Sequence, residues 1–159
     1  LIRAVALIPN VELTIVGDGS YHQHLINVVQ ECNIENQILF HKSIPNNELC
    51  SRLSEYDIFA THSEYWEISK SVLEPLLTGL PVLINKRKGE PVQELTDEIC
   101  VLVSNTVKGY HDALQHLIVD HDFRERLGIA AYSHAQQEWS PKKTEQKFVK
   151  IYEKVTTLR

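Results

Sequence analysis

The sequence predicts an α/β fold, in which a mostly parallel sheet is covered by helices on both faces. Five short apolar runs rich in branched residues are typical of buried strands. Between them lie segments whose apolar residues recur at helical spacing, and beyond Ser104 the pattern is wholly helical. Strands that alternate with helices form βαβ units, so neighbouring strands should run parallel in a three-layer α/β/α arrangement.

The predicted strands are bounded by residues that favour turns and loops. The first is followed by Gly17-Asp18-Gly19, and the third precedes a polar loop that begins at His62. Because ligands bind at the carboxyl ends of parallel strands, the loops that follow the strands are where a site is expected. The five strands cover residues 12–16, 37–40, 57–61, 81–85 and 99–103.

Seven helical segments accompany these strands in the prediction. Gly79 ends the fourth, which begins near Ser69. Residues that suit a helix N-terminus are Ser20, Asn46 or Asn47, and Ser140-Pro141. The apolar stripes predicted to face inward on the last three helices are Val107, Tyr110, Leu114, Leu117 and Ile118; Phe123, Leu127, Ala130 and His134; and Phe148, Ile151, Tyr152 and Val155.

The overall composition excludes several classes of protein. Hydrophobic residues make up 43% and charged residues 23% of the 159 residues, a balance typical of globular domains. The formal net charge of -5 argues against a nucleic-acid-binding domain, because phosphate backbones require a concentrated basic surface. No apolar run reaches the roughly 20 residues of a transmembrane helix. The three cysteines are widely spaced and form no disulfide or zinc motif, so we expect a cytoplasmic protein.

The segment after the third predicted strand carries the strongest indication of a site. The first turn of the helix that begins near Ser69 leaves backbone N–H groups free, here those of Ser69, Lys70, Ser71 and Val72. These donors and the helix dipole suit a phosphate group. One turn further on, the Glu74 carboxylate could accept hydrogen bonds from the two hydroxyls of a ribose. The alternative interpretation is that Ser69 merely caps the helix and Glu74 is a solvated charge.

The segment combines Ser63, Glu74 and a helix that runs into Gly79, Pro81 and Val82. In this combination the chain resembles glycosyltransferase family 4, whose members are built from two Rossmann domains. That family has a Ser, a Glu three residues later, a second Glu eight residues further on, and a helix that ends in Gly-x-Pro-Val, and these five residues match the pattern. The resemblance covers nearly the whole chain in the family's order, through residues 13–19, 40–49, 57–61, 89–94 and 139–152.

The resemblance implies a Rossmann-like domain, residues 1–159, that is the C-terminal half of a GT-B glycosyltransferase. It implies a nucleotide-sugar donor (a UDP-, GDP- or ADP-sugar), retention of the anomeric configuration, and no metal or other cofactor. The eight histidines also show no metal-ligand spacing. His62 is a candidate for contact with the donor sugar and Gly17 for contact with the donor. A surface loop and a plain tight turn are the alternative interpretations of these two residues.

Two departures from the family pattern affect the site. The first Glu of the family's pair should lie at position 66, where Trp66 stands, and Glu67 follows it. Either Glu67 contacts the donor sugar as the catalytic residue, which we favour, or Trp66 covers the sugar by stacking on it. Lys42 occupies a position that is usually Gly and lies beside the base pocket in the family, so the identity of the base stays open.

The resemblance also implies segments that the 159 residues lack. The family has a basic clamp for the diphosphate and an N-terminal acceptor domain, both ahead of the helix with which this chain begins. We therefore expect that the chain is truncated at its N-terminus and that it does not transfer sugar alone. Peripheral membrane association through the missing domain is a further expectation.

An α/β pattern is compatible with other functions as well. A phosphorelay receiver requires an Asp at the end of a central strand, whereas Asp57 begins its strand. A nucleotide-sugar epimerase half-domain and a module that only binds nucleotide sugars remain as alternatives. Neither is excluded by residues within this chain.

Overall fold

Five parallel strands form the centre of the computed structural model, which describes residues 1–157. Strand β1 pairs with β2, and β3, β4 and β5 form a second ladder in that order. All three pairings are parallel, as the sequence predicts, although the strands form two ladders and not one continuous sheet. The strands are β1 Leu13–Val16, β2 Ile38–His41, β3 Phe59–Thr61, β4 Val82–Asn85 and β5 Val101–Val103.

Seven α-helices connect and cover these strands in the described part of the chain. Two short 3-10 turns, Glu35–Gln37 and Leu53–Glu55, precede β2 and β3. The helices are α1 Ile2–Val5, α2 His22–Cys32, α3 Asn46–Arg52, α4 Lys70–Thr78, α5 Val107–Val119, α6 His121–Trp139 and α7 Pro141–Thr156. No helix among residues 1–157 is both long and apolar enough to cross a membrane.

Strand β4 shows why the fold has three layers. Its residues are all buried, and alternate side chains enter different cores. Leu83 belongs to a cluster with residues of α1 and α5, whereas Val82 and Ile84 belong to a cluster with residues of α4 and α6. Because successive side chains of a strand point to opposite faces, helices cover both sides of β4. Leu13 of β1 and Ile38 of β2 contact the first cluster, so the two ladders share that core.

A close approach of two glycines joins α4 to α6. Gly79 ends α4 with a φ of 78°, a left-handed conformation that glycine adopts without strain. A Cβ added to Gly128 in α6 would lie 2.4 Å from the carbonyl oxygen of Gly79. Only a residue without a side chain fits at position 128. The buried face of α6 therefore runs through Gly128, Ala131 and Ala135, and Ala130, which the sequence prediction placed inside, is exposed.

Two predicted helix caps are wrong. Tyr21, not Ser20, occupies the N-cap position of α2, and Pro45, not Asn46 or Asn47, occupies that of α3. Neither position carries a side-chain hydrogen bond to the helix. The prediction failed because it assigned the caps by residue type. In the structure the N-cap position lies one residue after Ser20 in α2 and one residue before Asn46 in α3.

The inward-facing stripe predicted for α7 is also wrong. Phe148, Ile151, Tyr152 and Val155 are 69%, 63%, 70% and 59% exposed. Helix α7 turns away at Ser140 and is held to α6 by Lys147, whose Nζ lies 2.9 Å from Oε2 of Glu138. Within residues 1–157, the apolar side of α7 has no element packed over it.

Candidate functional site

The N-terminus of α4 lies at the carboxyl-end edge of the three-stranded ladder. Ser69 is the N-cap in an extended conformation, and its hydroxyl lies 3.0 Å from that of Ser71 instead of capping the helix. The carbonyl of Ser69 accepts hydrogen bonds from the N–H groups of Val72 and Leu73. Within the described residues, the N–H groups of Lys70 and Ser71 donate to no other atom. They are therefore free to bind an anion.

A pocket of about 310 Å³ opens beside this helix end. Its walls combine apolar side chains with charged, hydroxyl and amide side chains. Trp66 is 71% exposed and does not line the pocket, whereas its neighbour Glu67 does. The polar lining residues are Ser63, Tyr65, Glu67, Ser69, Asn85, Lys86, Arg87 and Asp97, and the apolar ones include Ile68, Val72, Ile84 and Leu95.

The loop between β3 and α4 (residues 62–69) is attached to β4 by the side chain of Asn85. Asn85 is 4% exposed and is the one buried polar residue in the core of the described chain. Its Oδ1 accepts from the N–H of Ser63 at 2.8 Å, and its Nδ2 donates to the carbonyl of Ser63 at 3.0 Å. Its Nδ2 also lies 3.4 Å from Oε1 of Glu64. The side-chain amide of Asn85 thus fixes the start of the loop.

Arg87 forms a second attachment for the β3–α4 loop. Its Nε donates to the carbonyl of Glu64 at 3.1 Å, and its Nη1 donates to the carbonyl of Glu90 at 3.0 Å. The backbone N–H of Lys88 also donates to the Glu64 carboxylate at 3.4 Å. Both guanidinium contacts are to carbonyl groups, so neither neutralises the charge that Arg87 brings to the pocket.

His62 lies at the end of β3, as its position in the sequence predicts. Its Nε2 lies 2.9 Å from Nδ2 of Asn105 and 3.4 Å from Oε1 of Glu64. The side chain is about half exposed, and it does not line the pocket. The structure therefore ties His62 to the loop after β5 and places it outside the pocket walls.

Glu74 lies on the other side of the α4 N-terminus, where α4 faces α3. It is half-buried. Burial raises the pKa of the Cys50 thiol on α3, and the Glu74 carboxylate raises that pKa further while Lys70 lowers it. Nδ2 of Asn46 lies 3.6 Å from the Cys50 sulfur. Glu74 and Lys70 thus lie close to Cys50 of α3.

Gly17 joins the ends of β1 and β2. Its N–H donates to the carbonyl of His41 at 2.8 Å, and its φ is 146°. A Cβ at this position would meet no atom within 4 Å, so the backbone conformation and not close contact accounts for the glycine. Gly17 does not line the pocket beside α4.

The structure therefore separates the predicted site residues into groups. Glu67 and Ser69 line the pocket, Lys70, Ser71 and Glu74 lie on the first turns of α4, and Trp66 is on the surface next to them. His62 and Gly17 lie at the ends of other strands. Sequence reasoning missed Asn85 and Arg87, although the loop that follows β4 was expected to border a ligand. Within residues 1–157, no three His, Cys, Asp or Glu side chains converge as they would around a metal ion.

Comparison with known proteins gives matches to one family. The D-inositol 3-phosphate glycosyltransferase of Corynebacterium diphtheriae is 28% identical over 120 residues, which are 75% of this chain and 28% of that protein. A GDP-mannose-dependent alpha-(1-6)-phosphatidylinositol monomannoside mannosyltransferase of Mycolicibacterium smegmatis is 25% identical over 140 residues, covering 83% of this chain and 37% of that protein. The chain thus spans much less than half the length of these relatives.

Solved structures match the fold over nearly all of the chain. Anabaena Alr3699/HepE in complex with UDP-glucose has a TM-score of 0.86 at 20% identity, covering 97% of this chain and 44% of that one. The C-terminal domain of the glycosyl transferase group 1 family protein LpcC from Francisella tularensis has a TM-score of 0.75 at 22% identity, covering 88% of this chain and 77% of that one. These matches confirm the Rossmann-like α/β fold of GT-B glycosyltransferases.

The family assignment follows from the match to a family model. The model described as "Glycosyl transferases group 1" matches residues 1–134, which is most of the chain. The same residues include all five parallel strands, the β3–α4 loop and the α4 N-terminus. The chain belongs to the glycosyl transferases group 1 family.

Proposed function

We propose that this chain is the C-terminal, donor-binding domain of a retaining hexosyltransferase that uses a nucleoside-diphosphate sugar in glycan or glycolipid synthesis. The observation that carries the proposal is the α4 N-terminus. There the free N–H groups of Lys70 and Ser71 lie next to a pocket large enough for a sugar ring. The named activities of the relatives support the reaction class, and the Anabaena structure with UDP-glucose supports the class of donor.

The first turn of α4 is proposed to hold the diphosphate. Its N–H groups and the helix dipole favour a negative charge there, and Lys70 adds a full positive charge. The hydroxyls of Ser69 and Ser71 can donate to further phosphate oxygens. Because these groups offset the charge of the leaving diphosphate, this arrangement needs no metal ion.

Glu67 is proposed as the residue that contacts the donor sugar. It lines the pocket beside Ser69, whereas Trp66 lies outside with most of its ring in solvent. A carboxylate at the sugar can orient the ring hydroxyls and stabilise positive charge that develops at the anomeric carbon. Trp66 lies at the rim, where its ring can cover a bound sugar.

The domain role of the chain rests on its length and on α7. The matched segments are 28% and 37% of the lengths of the two relatives, which leaves room for a further domain. The exposed apolar side of α7 fits a surface that another domain covers. We propose that this domain precedes the chain, binds the acceptor and carries any peripheral membrane contact, and that the protein is cytoplasmic.

The test is donor binding and turnover by the full-length protein that contains this chain. Calorimetry with UDP-, GDP- and ADP-glucose identifies the base, and product analysis with an acceptor mixture detects transfer. Glu67→Gln is expected to lower kcat by at least a hundredfold with little change in donor affinity, because it removes charge stabilisation at the sugar. The matched control is Glu125→Gln, an exposed glutamate of α6.

Each outcome of this test decides between functions. Binding of none of the three donors would contradict the proposal. Conversion of the donor to its epimer without transfer would assign the epimerase function instead. Equal turnover of the Glu67→Gln protein and wild type would remove Glu67 from the reaction and leave Trp66 as the residue to test. Transfer by residues 1–159 alone would contradict the proposed need for a second domain.

A further inference from the structure

The Asn85 side chain makes a pair of hydrogen bonds that resembles one step of a β-ladder. Strand β3 pairs with β4 up to Thr61, which lies opposite Ile84. Beyond that point the chain leaves the sheet. The amide of Asn85 then binds both the N–H and the carbonyl of Ser63, at 2.8 and 3.0 Å. A side chain thus replaces the strand pairing that the backbone of the loop no longer makes.

The pairing has a direct effect on the proposed donor site. Ser63 lines the pocket. Tyr65, Trp66 and Glu67 follow it in the same loop, before α4 begins at Lys70. Tyr65 and Trp66 are 68% and 71% exposed, so these side chains contribute little burial to hold the loop in place. The loop is fixed instead at its root, by Asn85, and again at Glu64 by Arg87.

We propose that Asn85 is a positioning residue for donor binding, an inference that rests on the proposed function. Asn85 holds the β3–α4 loop so that Glu67 faces the pocket and the first turn of α4 stays open to the diphosphate. Asn85 also lines the pocket, but both ends of its amide are engaged by the loop, so it acts on donor binding through the position of that loop. A ligand that needs several loop groups at once loses affinity when those groups are no longer pre-arranged, because ordering the loop then opposes binding.

The side-chain chemistry of Asn85 is specific to this role. Leucine has nearly the same shape but can neither donate nor accept, so both groups of Ser63 lose their partner. Aspartate retains the acceptor for the Ser63 N–H. It also brings a second carboxylate next to that of Glu64, whose Oε1 lies 3.4 Å from the amide nitrogen of Asn85. Changing Glu64 to glutamine removes that repulsion and provides a rescue.

The experiment uses the full-length protein and measures donor KM, kcat and amide hydrogen exchange. Asn85→Leu is expected to raise the donor KM about tenfold, which corresponds to the loss of about two hydrogen bonds. Amides of residues 63–68 should exchange at least about tenfold faster, while those of β4 and β5 keep their protection. Asn85→Asp should raise KM as well, and adding Glu64→Gln should recover part of the loss.

Leu114→Ala is the control for a merely structural effect. Leu114 is 5% exposed in the core below α5 and does not line the pocket. This variant should lower stability without changing the donor KM or the exchange of the loop. An Asn85→Leu protein with unchanged KM and unchanged loop exchange would overturn the inference. So would an equal rise of KM in Leu114→Ala, because the effect would then be one of stability alone.

The two proposals fail in different ways. If the wild-type protein neither binds nor uses any nucleotide sugar, the proposed function fails, and the exchange of residues 63–68 still reports whether Asn85 fixes the loop. If wild type transfers sugar and Asn85→Leu has the same KM, only the positioning role is wrong.

Discussion

Helices α5 and α7 are both amphipathic in sequence, yet they have opposite environments. On α5, Tyr110, Leu114 and Leu117 are 2%, 5% and 0% exposed. On α7, Phe148 and Tyr152 occupy equivalent positions in their own stripe and are 69% and 70% exposed. The difference lies in the neighbours, because α5 packs on the sheet and α1, whereas the main neighbour of α7 in the described part of the chain is α6.

The comparison shows what periodicity predicts and what it leaves open. A stripe of apolar residues at helical spacing predicts a helix and the face that avoids water. It does not predict which element covers that face, or whether the element belongs to the same domain. An exposed stripe of this size on an otherwise well-packed domain indicates an interaction surface.

Substitutions in the two stripes should have very different effects on stability. Leu117→Ala is expected to lower the free energy of unfolding by about 3 kcal/mol, since it removes buried methyl groups and leaves a cavity. Phe148→Ala should change it by less than about 0.5 kcal/mol in the 159-residue chain. Urea unfolding of both variants measures the contrast.

The same pair of variants can sharpen the comparison in the full-length protein. If another domain covers α7, Phe148→Ala should cost well over 1 kcal/mol there, as a buried aromatic does. An equally small loss of stability in the 159-residue chain and in the full-length protein would show that the α7 stripe stays exposed. That result would contradict the proposed domain contact.

A second contrast lies between two faces of α6. Gly128→Ala is expected to destabilise the chain by about 1–3 kcal/mol, because the new Cβ would lie 2.4 Å from the carbonyl oxygen of Gly79 and force the helices apart. Alanine is otherwise the better helix former, so an exposed site would gain from the change. Ser133→Ala on the exposed side of α6 is the control and should be neutral or slightly stabilising. A stable Gly128→Ala protein would mean that α4 and α6 can separate at little cost.

The sequence predicts those parts of the fold whose packing neighbours lie close in the chain or belong to the same core. All five strands, their parallel pairing and the α4 helix with its Gly79 end were predictable, because alternating apolar runs and turn residues specify them locally. Of the stripe predicted for α6, Leu127 is buried as expected and Ala130 is exposed. The buried position of Gly128 was not predictable, because its contact with Gly79 depends on a neighbour far along the chain.

The candidate site was predictable to a similar degree. The free N–H groups at the start of α4 follow from the helix boundary alone. The roles of Asn85 and Arg87 do not, because each depends on the path of a loop that lies more than twenty residues earlier in the chain. The proximity of Glu74 to Cys50 likewise depends on the packing of α4 against α3.

The next test concerns Glu74, which lies near α3, whereas Glu67 lines the pocket. Glu74→Gln should weaken nucleotide binding about tenfold, since a charged acceptor for both ribose hydroxyls contributes about 1–2 kcal/mol at a hydrated site. Calorimetry with the full-length protein measures this. A nucleotide without the 2′-hydroxyl should bind wild type less well and the variant about equally. If the variant loses as much for the deoxy ligand, Glu74 is a structural helix charge.

The smallest expected effect concerns Tyr110 of α5, which connects the core between α5 and the sheet to the end of β3. Its Oη donates to the carbonyl of Thr61 at 2.7 Å, and burial raises the pKa of Tyr110 to about 12. Tyr110→Phe should cost about 1 kcal/mol at pH 7, because the Thr61 carbonyl loses this donor. Tyr132→Phe, at a half-exposed position of α6, is the control.

The pH dependence of this variant follows from the sign of the pKa shift. An unfolded chain releases the tyrosine proton near pH 10, whereas the folded chain holds it until about pH 12. Between these values the folded state binds more protons, so the stability contributed by Tyr110 is complete below pH 10 and falls as the pH rises toward 12. Urea unfolding at pH 7, 9 and 10.5 should therefore show wild type approaching the stability of Tyr110→Phe as the pH rises. A constant difference between the two proteins across this range would mean that the Tyr110 hydroxyl ionises as readily in the folded state as in the unfolded chain.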